Sequence, residues 1–441
     1  MADKPNAIQR VLDSVSKVRP NEFQATLLSF TWVFTVMAAY YIIRAGRDAL
    51  SSDWTDAQLS WLWTSTFVFS AVAVSVYGLV VSNIRFRVIV PTIYGLFAAT
   101  FIGFYLSGTF LGDNDLVNRS FYVWVSVFAL FHLSVFWTFM SGLYNREQSK
   151  RLFSVIATGT ILGAIAGSGF VSAWGEQIGS LNGLLIASVM LLAPIPIMSR
   201  LDQLRGTDLG NADGQAQLPR DEKLGVNPFA GFTRFVSNPY LLWIGLFILL
   251  YVTMNTFLYY EIRKVFSGME RAARYAAWAN IDLAVNTLAA LTALFATGRI
   301  TTRLGVSFTL ALVPLIMLGG WVVVAMSPVL ASVVGTQIIR RAGNYGITRP
   351  GREMLFTALD TETRVKSKPV IDTVVYRGGD VATGWFYTLL ASKLGLALSG
   401  IAVVGAVIAG IWALVGVKLG RLFDRRQEGG QSSAEQHEST A

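Results

Sequence analysis

Apolar residues in this chain come in long runs broken by short polar stretches. Twelve runs stand out, approximately at 23–43, 60–81, 88–111, 121–141, 152–174, 180–198, 240–260, 276–298, 306–326, 328–347, 369–391 and 396–417. Each approaches or exceeds the roughly 20 residues that carry a helix across a bilayer. Spans 9 and 10 are parted only by Ser327-Pro328, so that turn is tight. The pattern predicts an all-α, polytopic membrane protein with 12 transmembrane helices.

Composition agrees and removes several function classes. Of 441 residues, 53% are hydrophobic and 14% charged, and the mean hydropathy is +0.50, far from a soluble globular chain. Cysteine is absent and there are two histidines, His132 and His437, which excludes thiolate chemistry and a His-rich metal site. No phosphate-cradling loop ending in Lys-Ser/Thr is present, which speaks against an ATP-driven pump, and no nucleophile elbow is found. The sequence therefore implies neither an enzyme nor a cofactor.

The net charge of +9 is topological. Of the 36 Lys and Arg residues, 25 fall on the side of the two termini and 8 on the other, while Arg340, Arg341 and Arg377 lie inside spans. That excess places both termini in the cytoplasm, and implies no nucleic acid. The expected partners are membrane lipid and a small-molecule solute.

Residues 199–239 are hydrophilic and read as a cytoplasmic linker between two six-helix halves, 1–198 and 240–418. Residues 419–441 read as a disordered cytoplasmic tail. The halves echo each other. Span 1 ends in Tyr40-Tyr41-Ile42-Ile43-Arg44 and span 7 in Tyr259-Tyr260-Glu261-Ile262-Arg263, an offset of 219 residues. Span 5 is entered through Ser149-Lys150-Arg151 and span 11 through Ser367-Lys368-Pro369, an offset of 218. Parallel six-span repeats are the plan of major facilitator transporters, which work by rocking one half against the other.

Candidate chemistry is the charge at membrane depth. In span 11, Lys366–Trp385 carries Asp372, Arg377 and Asp380; a helix starting near Pro369 puts Asp380 roughly 16 Å in, close to the bilayer centre. An ionisable group there costs roughly 2.5–3.5 kcal/mol on insertion scales, so it should face a partner or a watery cavity. Arg377 and Asp380, three apart, lie on one face. In span 10, Gln337, Arg340 or Arg341, and Asn344 share a broad face, and Arg suits bidentate recognition of phosphate or carboxylate. Charge balance of these arginines with Asp282, Asp372 and Asp380 is the plainer reading. At the end of span 1, Arg44 and Asp48 are four apart and Arg47 lies between them, forming a self-neutralising pair or a solvated cap. His132, among aromatics in span 4, reads as a packing residue. Gly159, Gly163 and Gly167 in span 5 read as a close helix–helix face.

Three motifs resemble the ATP/ADP translocase-like nucleotide transporters, in their bacterial branch. They are Tyr41–Leu50, Phe136-Trp137 with Glu147–Phe153, and Lys366-Ser367-Lys368 with Ile371-Asp372 and Tyr376–Asp380. The resemblance covers both halves in order and implies a major facilitator fold and secondary active transport of a nucleotide or related phosphorylated or anionic solute. It implies that Arg47 keeps the basic charge of the first motif. The span-11 lysine of the exchangers aligns with Asp380, which reverses that charge and suggests proton coupling to a different solute as the second reading. A non-transporting membrane scaffold is the third, and charges retained at mid-depth oppose it.

Overall fold

The computed structural model describes residues 18–83, 86–210, 230–295 and 297–438. The first 17 residues, and most of the expected linker at 211–229, lie outside them. Every regular element among the described residues is helical. In chain order the helices are α1 (Phe23–Leu50), α2 (Asp56–Asn83), α3 (Phe86–Leu111), α4 (Asp115–Leu143), α5 (Arg146–Met190), α6 (Pro194–Gly206) and α7 (Ala230–Ser237). There follow α8 (Pro239–Phe266), α9 (Arg271–Phe295), α10 (Thr297–Met326), α11 (Leu330–Gly343), α12 (Arg349–Leu355), α13 (Thr361–Val370), α14 (Tyr376–Thr388) and α15 (Leu398–Glu438). The segment read as a tail from 419 begins inside α15.

Nine helical stretches among the described residues are long and apolar enough to cross a membrane. The difference from twelve has a local cause. One stretch, Arg146–Gly206, holds expected spans 5 and 6, parted at Gly179. That residue has φ 75° and ψ 159°, a backbone state that glycine enters without a Cβ clash. Expected spans 10 and 11 are helical as well, but they are charged and interrupted by π turns at Asn344–Thr348, Ile371–Val375 and Leu389–Lys393. Each such turn closes i→i+5 and inserts one residue into the helix, a feature found often at functional sites.

Polar side chains start the helices. Asn114 accepts from the backbone of Leu116 and Val117, Asn238 from Tyr240, and Asn145 forms a reciprocal box with Gln148. Large apolar side chains such as Phe69, Leu116, Leu294, Met326 and Leu414 are exposed. On a chain of this composition they are the surface that lipid covers.

Contacts divide the chain into two compact units. One comprises Met1–Ser51, Val68–Leu224 and Met269–Leu283; the other comprises Ser52–Phe67, Gly225–Gly268 and Ala284–Ala441. Each unit thus takes in the opening turns of a helix from the other sequence half. In the first, α1 lies against α5 through small residues. A Cβ on Gly159, Gly163 or Gly167 would stand 2.9, 2.3 and 2.3 Å from the carbonyl oxygens of Phe30, Phe34 and Ala38. This is the close face expected of span 5, since only glycine admits such an approach. Trp32 is buried beside Tyr94, Phe136 and Phe139. In the second unit, Trp321 and Trp412 are fully buried against Phe257 and Phe247, and Gly416 brings α15 onto the backbone of α10 at Leu310.

Candidate functional site

Arg340 is the central group of the second unit. It is fully buried near the end of α11. Its Nε donates to Gln337 Oε1 at 3.0 Å, one turn back, and its Nη2 to Asn255 Oδ1 of α8 at 2.6 Å. The guanidinium lies 5.3 Å from the centre of the Tyr251 ring. All three partners are neutral, and the remaining nitrogen, Nη1, has no hydrogen-bond partner. No carboxylate lies within ion-pair distance of Arg340 among the described residues. A buried cation held only by amides and a ring is short of one anion. Arg341 and Asn344 are buried beside it along the chain, and Asn344 opens the π turn.

The acids expected to balance these arginines are engaged elsewhere. Asp282 belongs to the first unit, where Arg44 stands 3.7 Å away. Asp372, on the π turn of span 11, feels Arg352, Lys368, Glu353 and Arg349. Asp380 is 4.0 Å from Arg377 across one helical turn, and both side chains are partly exposed. The three-against-three balance read from the sequence is therefore not realised at Arg340.

In the first unit, Asp48 is buried and does not form a solvated cap. It takes Arg47 at 2.6 Å and Arg44 at 3.4 Å. Arg47 also reaches Ser126 Oγ and lies 5.4 Å from the Tyr122 ring centre. Asp282 completes a two-against-two set. His132 stacks on Tyr40 at 4.4 Å, in the aromatic packing expected of it.

A second cluster in the second unit escaped the sequence reading. Asp56, at the start of α2, pairs with Arg263 through one oxygen and stands 3.2 Å from Lys264 Nζ through the other, which also accepts from Ser392 at 3.0 Å. Arg263 donates as well to the carbonyl of Trp54. One turn back, Glu261 accepts a 2.5 Å hydrogen bond from Tyr387 of α14. Nearby, Ser60 joins Tyr260 and Thr388, both at 2.9 Å. These residues lie up to 336 positions apart, so no spacing rule links them. The only signal was the Tyr-Tyr-Glu-Ile-Arg echo at the end of span 7.

Outside the spans, Glu353 pairs with Lys368 at 2.6 Å. Burial raises the cost of its charge, but the hydrogen bond from Lys368, with Arg352 alongside, holds its pKa below the usual carboxylate range.

No protein-family model matches the chain. It is 22% identical to ADP,ATP carrier protein 1 of Chlamydia pneumoniae over 350 residues, which cover 69% of this chain and 67% of that protein. Its fold is similar to that of the nucleoside transporter NupG, with TM-score 0.59, 13% identity, and 92% of this chain and 99% of that chain covered. A bacterial homologue of the lysosomal transporter Spinster gives 0.59 at 13% identity over 92% and 98%. A D-xylose–proton symporter gives 0.58 at 10% identity over 91% and 97%. The chain is a multi-pass membrane protein with the fold of these solved transporters, and in sequence it is similar to an ADP,ATP carrier, the resemblance that the three motifs implied.

Proposed function

We propose that the protein is a secondary active transporter of the bacterial inner membrane, both termini cytoplasmic, that exchanges a nucleotide or related phosphorylated or anionic solute by alternating access. Arg340 carries this reading. A fully buried guanidinium with neutral partners and an unpartnered Nη1 is a fork waiting for an acid oxygen. Arg341 and Asn344 flank that fork. Arg44, Arg47 and Asp48 form, with Asp282, a second polar cluster whose charges already cancel, which suits passage better than tight binding. Asp372, Arg377 and Asp380 supply groups that can change partners during the cycle. The similarity to an ADP,ATP carrier supports a nucleotide as the solute.

The test is ligand stabilisation of the purified protein across nucleotides, sugar phosphates, organic acids, and neutral or cationic solutes. A ligand at about 100 times its dissociation constant adds ~2.7 kcal/mol, enough to read as a thermal shift. An anion should give this shift and Arg340→Gln should remove it. Stabilisation by neutral or cationic solutes alone, followed by their exchange in proteoliposomes, overturns the reading.

A further inference from the structure

Glu261 is the converse of Arg340: a buried acid with no ion pair among the described residues. It is 4% exposed, near the end of α8. Among the described residues its one hydrogen bond comes from the phenol of Tyr387, at 2.5 Å. No Lys or Arg nitrogen reaches salt-bridge distance among the described residues. The charged groups around it are its helix neighbours Lys264 and Arg263, and beyond Lys264 the Asp56 carboxylate of α2. Arg263 is spoken for by Asp56 and the Trp54 carbonyl. Lys264 turns its ammonium to Tyr387 Oη at 2.8 Å and to Asp56 at 3.2 Å. The result is a continuous line: Asp56 holds Lys264, Lys264 donates to Tyr387, and Tyr387 donates to Glu261.

We propose that Glu261 is a proton-binding site, loaded through Tyr387 from Lys264. The transfer balances without any other reactant. The Lys264 ammonium gives a proton to Tyr387 Oη as Tyr387 passes its own proton to Glu261, leaving a neutral amine, an unchanged phenol and a carboxylic acid. Lys264, whose side chain is 36% exposed, then recovers a proton from water, so one proton is taken up. Asp56 is a positioning residue, since both its oxygens are held by cations and it keeps Lys264 at the phenol. Uncharged, Glu261 suits its buried place; charged, it has the Tyr387 hydrogen bond but no ion pair among the described residues. Such a site couples proton uptake to the transport proposed above. It rests on that reading for its purpose only, because protonation is measured without solute.

The experiment is infrared difference spectroscopy on the purified full-length protein as pH is lowered from alkaline to acid, with no solute added. Subtracting the Glu261→Gln spectrum from the wild type should leave one protonated-carboxyl band, distinct from that of the exposed acids, and Asp380→Asn should keep it. Tyr387→Phe should move the frequency of that band, because the hydrogen bond to the carboxyl is lost. This second variant decides the matter should Glu261→Gln fail to fold. A wild-type-minus-Glu261→Gln difference spectrum with no carboxyl band, or such a band unmoved in frequency by Tyr387→Phe, overturns the proposal. None of these outcomes bears on whether Arg340 binds an anion.

Discussion

Replacing Asp56 by Asn keeps the shape of the side chain and removes its charge. In the structure this strands Arg263, which is 3% exposed and has Asp56 as its one carboxylate partner among the described residues. Breaking a buried pair by removing one partner costs about 3–5 kcal/mol, chiefly through the charge left behind. Lys264, about a third exposed, adds little to that figure because solvent screens it. The Arg377–Asp380 pair is the internal control: at 4.0 Å with both side chains partly exposed, it is the looser pair and its loss should cost less than that of Asp56–Arg263. The assay is denaturant-detergent unfolding of purified protein for Asp56→Asn, Arg263→Gln, the Asp56→Asn/Arg263→Gln double variant, and Arg377→Gln. Each single change in the first pair should lower stability by about 3–5 kcal/mol, and the double variant should recover much of it, a favourable coupling of about 0.5–3 kcal/mol. A loss below ~1 kcal/mol for Asp56→Asn, or a double variant equal to the sum of the singles, refutes the reasoning.

Gly163→Ala forces a Cβ to 2.3 Å from the Phe34 carbonyl and should cost about 1–3 kcal/mol in the same assay. Gly103→Ala, with open space around it, should be neutral or stabilising by up to ~1 kcal/mol. The cysteine-free chain allows a clean labelling test. In intact cells an impermeant thiol reagent should modify Asn114→Cys and spare Ser149→Cys, and the reverse result inverts the topology. Glu353 has its pKa lowered by Lys368, so the pair's contribution is present above the unfolded carboxylate pKa and disappears as pH falls through the lower folded value. Below about pH 4 the wild type should therefore lose the small advantage, under ~1 kcal/mol, that it holds over Lys368→Gln at neutral pH.

The sequence by itself determined the all-helical membrane fold, because apolar run length is a local property that the bilayer alone enforces. It also determined that α5 carries a close-packing face, since glycines every fourth residue fall on one side whatever packs there. The face shared by Gln337, Arg340 and Asn344 was legible in the same way, as helical periodicity fixes it before any tertiary contact. Partner choice was not legible. Asp282 was expected among the arginines of span 10 and instead lies near Arg44, while Asp56 meets Arg263 across 207 positions. The π turns at Asn344 and Asp372 were equally hidden, because one inserted residue leaves no mark on composition. Tertiary structure alone decided which charges are cancelled and which are left, for the cost of a buried charge depends on atoms a few ångströms away and not on residues nearby in the chain.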